Sequence, residues 1–180
     1  KNGEAVGTAT SGTLAFNTAA TALSNVGGYA IDGSGLTANF GNYVFVQAPG
    51  NASALTINPA TLTYVANPQN RLYGTPNPAL SGTVTGFQNG QTIATATTGP
   101  LAFTTPATIL SNAGSYAING SGLTAINGNY LFVQAPTNTT ALTIDPNPGV
   151  VVVVPSLEQV LLQGENGDDG FHEQPSGTPS

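Results

Sequence analysis

Asn129-Tyr130-Leu131-Phe132-Val133-Gln134-Ala135-Pro136 decides how this chain is read. The same words stand at Asn42-Tyr43-Val44-Phe45-Val46-Gln47-Ala48-Pro49, with Val44 alone differing from its counterpart Leu131. Each stretch alternates as a half-buried strand does: Tyr43, Phe45 and Gln47 take one face, Val44 and Val46 the other. The match runs outward without a gap, so that Asn2–Pro59 aligns with Asn89–Pro146 at an offset of 87 residues. Leu14-Ala15-Phe16 returns as Leu101-Ala102-Phe103, and Leu55-Thr56-Ile57 as Leu142-Thr143-Ile144. A gapless repeat of this length is one folded module used twice. Repetition builds length and stalks more readily than it builds a single catalytic pocket.

Composition narrows the class further. Only 6% of the 180 residues are charged, far below the roughly 25% of ordinary soluble domains, so Thr, Ser, Asn and Gly must supply the polar surface. Lys1 and Arg71 are the only basic residues and the formal charge is −6. Such a chain has no means of gripping phosphates, which makes nucleic acid and anionic membranes poor partners. Cys, Met and Trp are absent; disulfides and thiolate or zinc-thiolate chemistry are excluded, and the lack of oxidisable sulfur suits an extracellular setting. No run approaches the roughly 20 apolar residues of a membrane span. The chain starts at Lys1 without a signal sequence and reads as a mature, processed or excised piece of a secreted precursor.

Short apolar stretches between Gly, Pro and Asn clusters predict an all-β architecture. Expected strands are Leu62–Val65, Gly82–Phe87, Thr92–Thr97, Gly114–Asn119, Tyr130–Gln134 and Ala141–Ile144, with first-copy equivalents at Ala5–Thr10, Gly28–Asp32, Tyr43–Gln47 and Ala54–Ile57. Asn89-Gly90, Asn119-Gly120 and Asn127-Gly128 read as tight turns, because both residue types tolerate positive φ. Thr104 to Ala113 has room for one helical turn. After Asn147 the pattern changes. Val150–Val154 is a strand candidate, and Ser156 to Gln163 fits either a short capped helix or a second strand on Val160-Leu161-Leu162. Glu165 to Ser180 is rich in Gly, Pro and acid.

The order of motifs is distinctive: Pro59-Ala60-Thr61-Leu62-Thr63-Tyr64, then Tyr73-Gly74-Thr75-Pro76-Asn77-Pro78-Ala79-Leu80, then Val84-Thr85-Gly86-Phe87-Gln88-Asn89-Gly90. Gly114-Ser115-Tyr116-Ala117-Ile118, Asn129-Tyr130 and Ala141-Leu142-Thr143-Ile144 follow. This series resembles the MBG repeat with its Tyr-Gly-X motif, found in large secreted bacterial adhesins and filamentous-haemagglutinin-like exoproteins of two-partner secretion. One full copy, about Pro59 to Asp145, matches throughout, and the first copy matches over its later two-thirds. The resemblance implies a secreted or surface β-rich module, usually in tandem and without catalysis. The expected fold is two tandem immunoglobulin-like β-sandwich modules, residues 1–58 and 59–146. A tail, 147–180, carries an apolar strand segment at 149–163.

Under these boundaries the first copy lacks the counterpart of Ala60 to Gln88, which would leave an unpaired edge and an open core. One reading is that Val150, Val151, Val152, Val153, Val154, Leu157, Val160, Leu161 and Leu162 of one subunit complete the first module of the next, head to tail. Two others stay open: the unit is permuted, with the tail serving its own chain, or the sequence is an excerpt of a longer array.

Candidate chemistry is sparse. His172 is the only histidine and has no nucleophile or second ligand beside it. Glu165, Asp168 and Asp169 offer oxygen ligands for calcium, without the EF-hand spacing; no other cofactor is implied. Glu4, Asp32, Asp145 and Glu158 are isolated, so an enzyme is not expected. Asn51, Asn119 and Asn138 begin sequons for glycosylation. With Lys1 the only lysine, a Lys–Asn isopeptide staple is nearly excluded. Tyr29/Tyr116, Tyr43/Tyr130, Phe16/Phe103 and Phe45/Phe132 recur at strand spacing and read first as core. The leading expectation is a structural subunit of a secreted bacterial fibre or adhesin stalk, polymerising with itself. A module binding polysaccharide or a cell surface is the alternative.

Overall fold

The computed structural model describes residues 3–149. In the first copy the helical turn α1 (Val6–Ala9) leads into β1 (Thr10–Asn17), followed by β2 (Gly27–Tyr29), β3 (Asp32–Ala38) and β4 (Leu55–Ile57). Three strands then come that have no earlier equivalent: β5 (Ala60–Ala66), β6 (Gln69–Leu72) and β7 (Gly82–Thr85). The second copy follows with α2 (Ile93–Ala96), β8 (Thr97–Thr98), β9 (Ala102–Thr104), β10 (Gly114–Tyr116), β11 (Asn119–Ser121), β12 (Thr124–Ala125), β13 (Tyr130–Gln134) and β14 (Leu142–Asp145). The fold is all-β, with short 3₁₀ turns between strands.

The topology hinges on one pair of parallel strands that changes sheets together. β5 runs parallel to β13, Ala60 opposite Tyr130 through Tyr64 opposite Gln134, and β7 closes that sheet antiparallel on the other side of β5. Asn67-Pro68 then carries the chain into β6, which runs parallel to β14, while β10 covers the far edge of β14. Proline suits this corner because it cannot donate to a ladder. In the second copy β9 pairs with β11 and β8 with β12, and in the first β1 pairs with β3 across a bulge between Gly12 and Ala15. Glycine is required at that bulge: a Cβ on Gly12 would lie 2.1 Å from the Gly35 carbonyl oxygen.

Burial follows the pairing. All the buried apolar residues among those described lie between Leu62 and Ile144. One cluster gathers Ala66, Ala107, Ile118, Ala141, Leu142 and Ile144; the other gathers Leu62, Ala96 and Tyr130. Arg71 is buried too. It donates from Nε to Asn77 Oδ1 (2.7 Å) and from Nη2 to the Thr108 carbonyl (2.5 Å), and Asn77 in turn donates to the Ala107 carbonyl (2.6 Å). These bonds pin the Tyr73-Gly74-Thr75 turn to the second copy. Both copies belong to one contact unit, Lys1–Pro146. Val26 N–H donates to Asn129 Oδ1 (2.8 Å), Asn129 Nδ2 to Asn25 Oδ1 (2.8 Å) and Asn89 Nδ2 to the Ala22 carbonyl (2.8 Å).

Several sequence expectations change. Thr92–Thr97 and Ala5–Thr10 are not strands but begin with helical turns, because threonine hydroxyls bond locally to the backbone. Thr97 Oγ1 donates to the Ile93 carbonyl (2.7 Å) and Thr10 Oγ1 to the Val6 carbonyl (2.7 Å). Thr104 to Ala113 agrees with expectation: it holds one turn, Ser111 N–H donating to the Thr108 carbonyl (3.0 Å), and no helix. Asn119-Gly120 lies inside β11 rather than at a turn. The strand expected at Tyr43–Gln47 is not formed, although its equivalent β13 is. β1 and β3 were missed; their glycines disguise them, since glycine is depleted from strands.

The turns at Asn89-Gly90 and Asn127-Gly128 do form, with φ of 54° and 69° and of 55° and 66°. In the first copy Phe40 occupies the place of Asn127, at φ 60°, and is 97% exposed. Asparagine tolerates this left-handed region and a bulky residue does not. Phe40→Asn is therefore expected to stabilise the fold by about 1 kcal/mol, read from the midpoint of urea unfolding; no gain would show that the turn relaxes around the ring.

Candidate functional site

The second copy shows how a β5 strand is held. Tyr64 is 4% exposed and lies between two rings, stacked on Phe132 at 5.3 Å and edge-on to Phe103 at 6.4 Å. Its ring crosses Gly120, where a Cβ would come within 2.5 Å of it, so that only glycine fits beneath. Gln134 closes both main-chain groups of Gly120: Gly120 N–H donates to Oε1 (2.9 Å) and Nε2 donates to the Gly120 carbonyl (2.7 Å). Asn138, 0% exposed, reaches the docked strand. Its Nδ2 donates to the Tyr64 carbonyl (2.9 Å) and to Gln134 Oε1 (2.9 Å), and its Oδ1 accepts from Ala66 N–H (2.9 Å). Leu62 packs against Ala96 and Tyr130.

The first copy keeps this receptor. Gly33 N–H donates to Gln47 Oε1 (3.0 Å), Gln47 Nε2 to the Gly33 carbonyl (2.7 Å) and Asn51 Nδ2 to Gln47 Oε1 (2.9 Å), matching the second copy bond for bond. Among the described residues no strand lies beside residues 44–47. Phe16 and Phe45, the equivalents of Phe103 and Phe132, are 63% and 52% exposed. A cavity of about 250 Å³ opens between them, over Gly33 and Asn51. A second, of about 220 Å³, opens at Ala9, Tyr43 and Val44. The Tyr43 hydroxyl donates to the Glu4 carboxylate as Tyr130 donates to Gln91, and that hydrogen bond, with lesser help from lost solvation and the carboxylate charge, raises the phenol above its ordinary pKa.

The structure sorts the other candidates. Val150 to Val154, Leu157, Val160, Leu161 and Leu162 lie outside the described residues, as do Glu158, His172 and the calcium candidates Glu165, Asp168 and Asp169. Asp32 opens β3 and Asp145 ends β14, far from serving as a pair. Of the sequon residues, Asn119 is exposed on β11 and Asn51 is half-buried. Asn138 is the correction. A glycan there would break three hydrogen bonds in a fully buried bracket, so its recurrence with Asn51 marks a structural role. The Gln–Asn bracket itself was missed, although the recurrence of Gln47/Gln134 and Asn51/Asn138 four residues apart was its signal.

The two brackets differ in what they hold, and this separates their energetics. Asn138→Ala takes away the acceptor of the Ala66 N–H in the core and one of the two donors to the Tyr64 carbonyl, which keeps the Ala135 N–H (2.9 Å). It is expected to cost about 3 kcal/mol. Asn51→Ala, at a half-exposed site without a docked strand, is expected to cost below about 1 kcal/mol. Urea unfolding of the two variants checks this; equal losses would mean that both brackets carry the same load.

No curated protein and no solved structure matches the chain. The family described as MBG domain (YGX type) matches residues 1–53 and 62–140. Ser53 and Thr140 are equivalent positions of the repeat, so both matches end at the same point of the module, and only the second covers β5 from Leu62 onward with β6 and β7. Matched over most of its length, the chain belongs to the MBG domain (YGX type) family, whose modules are typical of secreted and surface adhesin-like proteins.

Proposed function

We propose that this chain is a non-enzymatic structural segment of a secreted bacterial fibre or adhesin stalk, built from two tandem immunoglobulin-like sandwich modules. Subunits join head to tail when the tail of one adds a β-strand to the first copy of the next. The observation behind this reading is the open groove on the first copy, which retains the side-chain receptor that holds β5 in the second. An apolar groove next to an unpaired strand segment is the usual acceptor in β-strand addition: main-chain hydrogen bonds supply strength and alternate side chains set the register. Val150 to Val154 with Leu157, Val160, Leu161 and Leu162 is the donor. Because donor and acceptor belong to different surfaces, the contact does not close on itself and propagates. The scattered carboxylates favour a structural role over acid–base catalysis.

Negative-stain electron microscopy tests the assembly. The intact chain is expected to form uniform thin fibres and a version truncated after Pro148 to remain as separate particles. Separate particles from both would remove tail donation.

A further inference from the structure

Where the two copies meet, residues 22–26 of the first and residues 88–91, 129 and 130 of the second enclose a cavity of about 190 Å³. Ile57, Asn58 and Ala60 of the connection complete its lining. Neither copy forms it alone, and a crevice between modules is a common place for a small-molecule site. The walls are tied across the junction by Val26 N–H on Asn129 Oδ1 and by Asn89 Nδ2 on the Ala22 carbonyl, both at 2.8 Å. Six carboxamides line the space: Asn25, Asn58, Gln88, Asn89, Gln91 and Asn129. Asn129 is spent at both ends, since its Nδ2 donates to Asn25 Oδ1. The others are half-used. Asn25 accepts only at Oδ1, Gln88 donates from Nε2 to the Gly86 carbonyl, Asn89 donates from Nδ2, and Gln91 accepts the Tyr130 hydroxyl at Oε1. Asn58 makes no side-chain hydrogen bond among the described residues. Left without partners there are the donors Asn25 Nδ2, Asn58 Nδ2 and Gln91 Nε2, and the acceptors Asn58 Oδ1, Gln88 Oε1 and Asn89 Oδ1.

A ligand that satisfies interleaved donors and acceptors offers both, close together and without charge. A hydroxyl is donor and acceptor at once, and a sugar ring carries several side by side. Among the described residues no charged side chain lines the cavity, so an ionised ligand would lose hydration there without a counter-charge. Leu23, 77% exposed, stands with Val26 and Ile57 as an aliphatic surface for the C–H face of a ring. We propose that the junction between the copies is a carbohydrate site that takes one neutral pyranose unit of a glycan. Asn25, Asn58 and Gln91 donate to its hydroxyl oxygens, and Gln88, Asn89 and Asn58 accept its hydroxyl protons. Tyr130 is a positioning residue: its hydroxyl receives the Gln88 N–H and occupies Gln91 Oε1, which leaves Gln91 Nε2 for the ligand. The volume suits a single ring, so the rest of a glycan stays in solvent. The lining uses neither the tail nor the groove over Gly33, and the site stands apart from the assembly reading.

The test is nitrogen–proton correlation NMR of the intact chain, titrated separately with methyl glucoside, methyl galactoside and N-acetylglucosamine. At least one sugar is expected to move the side-chain amide signals of Asn25, Asn58 and Gln91 saturably. A Kd of about 1 mM is expected, because hydrogen bonds at a site open to water return little net free energy each. Asn58→Ala should weaken that binding about fivefold or more, the worth of roughly one net hydrogen bond. Its urea midpoint should stay unchanged, since the Asn58 side chain holds nothing in the fold. N-acetylglycinamide, which offers amide groups without a ring of hydroxyls, should leave the same signals in place. The proposal is overturned if none of the three sugars gives saturable shifts, or if the shifts fall on residues away from the cavity. It is equally overturned if Asn58→Ala binds as tightly as the parent, or if N-acetylglycinamide moves the same signals at the same concentration.

Discussion

The module depends on a single pairing: Ala60–Ala66 laid parallel against Tyr130–Gln134. A strand in the middle of a sheet needs neighbours on both sides for its N–H and C=O groups, and an unmade backbone bond in a buried place costs far more than a made one returns. β5 is that middle strand, with β13 on one side and β7 on the other; it brings Leu62, Tyr64 and Ala66 into the core and continues through Asn67-Pro68 as β6 to pair with β14. The same residues at 43–47 and 55–57, without such a neighbour among the described residues, form only a three-residue β4 and no counterpart of β13. Two nearly identical sequences thus reach different local structures where one has a partner strand among the described residues and the other has none there. Propensity proposes a strand; pairing makes it.

This explains how much could be read from the sequence. The alternation in Tyr130–Gln134 gave its boundaries to the residue, since a strand buried on one face has to alternate. The same alternation at Tyr43–Gln47 misled, because the pattern records which face would be buried and not whether a neighbour is present. β1 and β3 were hidden by Gly12, Gly33 and Gly35: the first and last serve close approach of backbones and Gly33 lies against the Phe16 ring, none of which is strand propensity. The turns Asn89-Gly90 and Asn127-Gly128 were legible from residue type alone, because their conformation is a local property. Asn119-Gly120 carries the same pair of letters and sits in a strand, for there glycine answers to the Tyr64 ring across the core.

The candidate site was legible in outline. Alignment of the copies shows that Ala60 to Gln88 has no counterpart among the described residues, and the groove on the first copy lies where β5 docks on the second. Alignment shows Gln47/Gln134 and Asn51/Asn138 recurring but not what they hold, because the loop must fold back for Asn138 to present its amide to a strand that is distant in sequence. Asn138 contacts residues 72 and 74 positions away, so nothing in the local sequence names its partners. Its sequon, by contrast, is a local pattern, and the local pattern pointed to the wrong role.

A receptor made of amides, glycine and rings also accounts for the composition. The docked strand is held by neutral groups: the carboxamides of Gln134 and Asn138, main-chain N–H and C=O, and aromatic faces. Charged pairs would have to lose their hydration to enter such a seam, a penalty that their attraction often fails to recover. Neutral amides lose less and still demand a fixed geometry, so they set register without a large desolvation cost. A chain with 6% charged residues can therefore hold its strands in register through carboxamides, main-chain bonds and rings, with Arg71 the one charged residue among the buried described ones. Where no strand lies on the receptor among the described residues, Phe16 and Phe45 stand exposed to solvent, while their counterparts Phe103 and Phe132 pack against Tyr64.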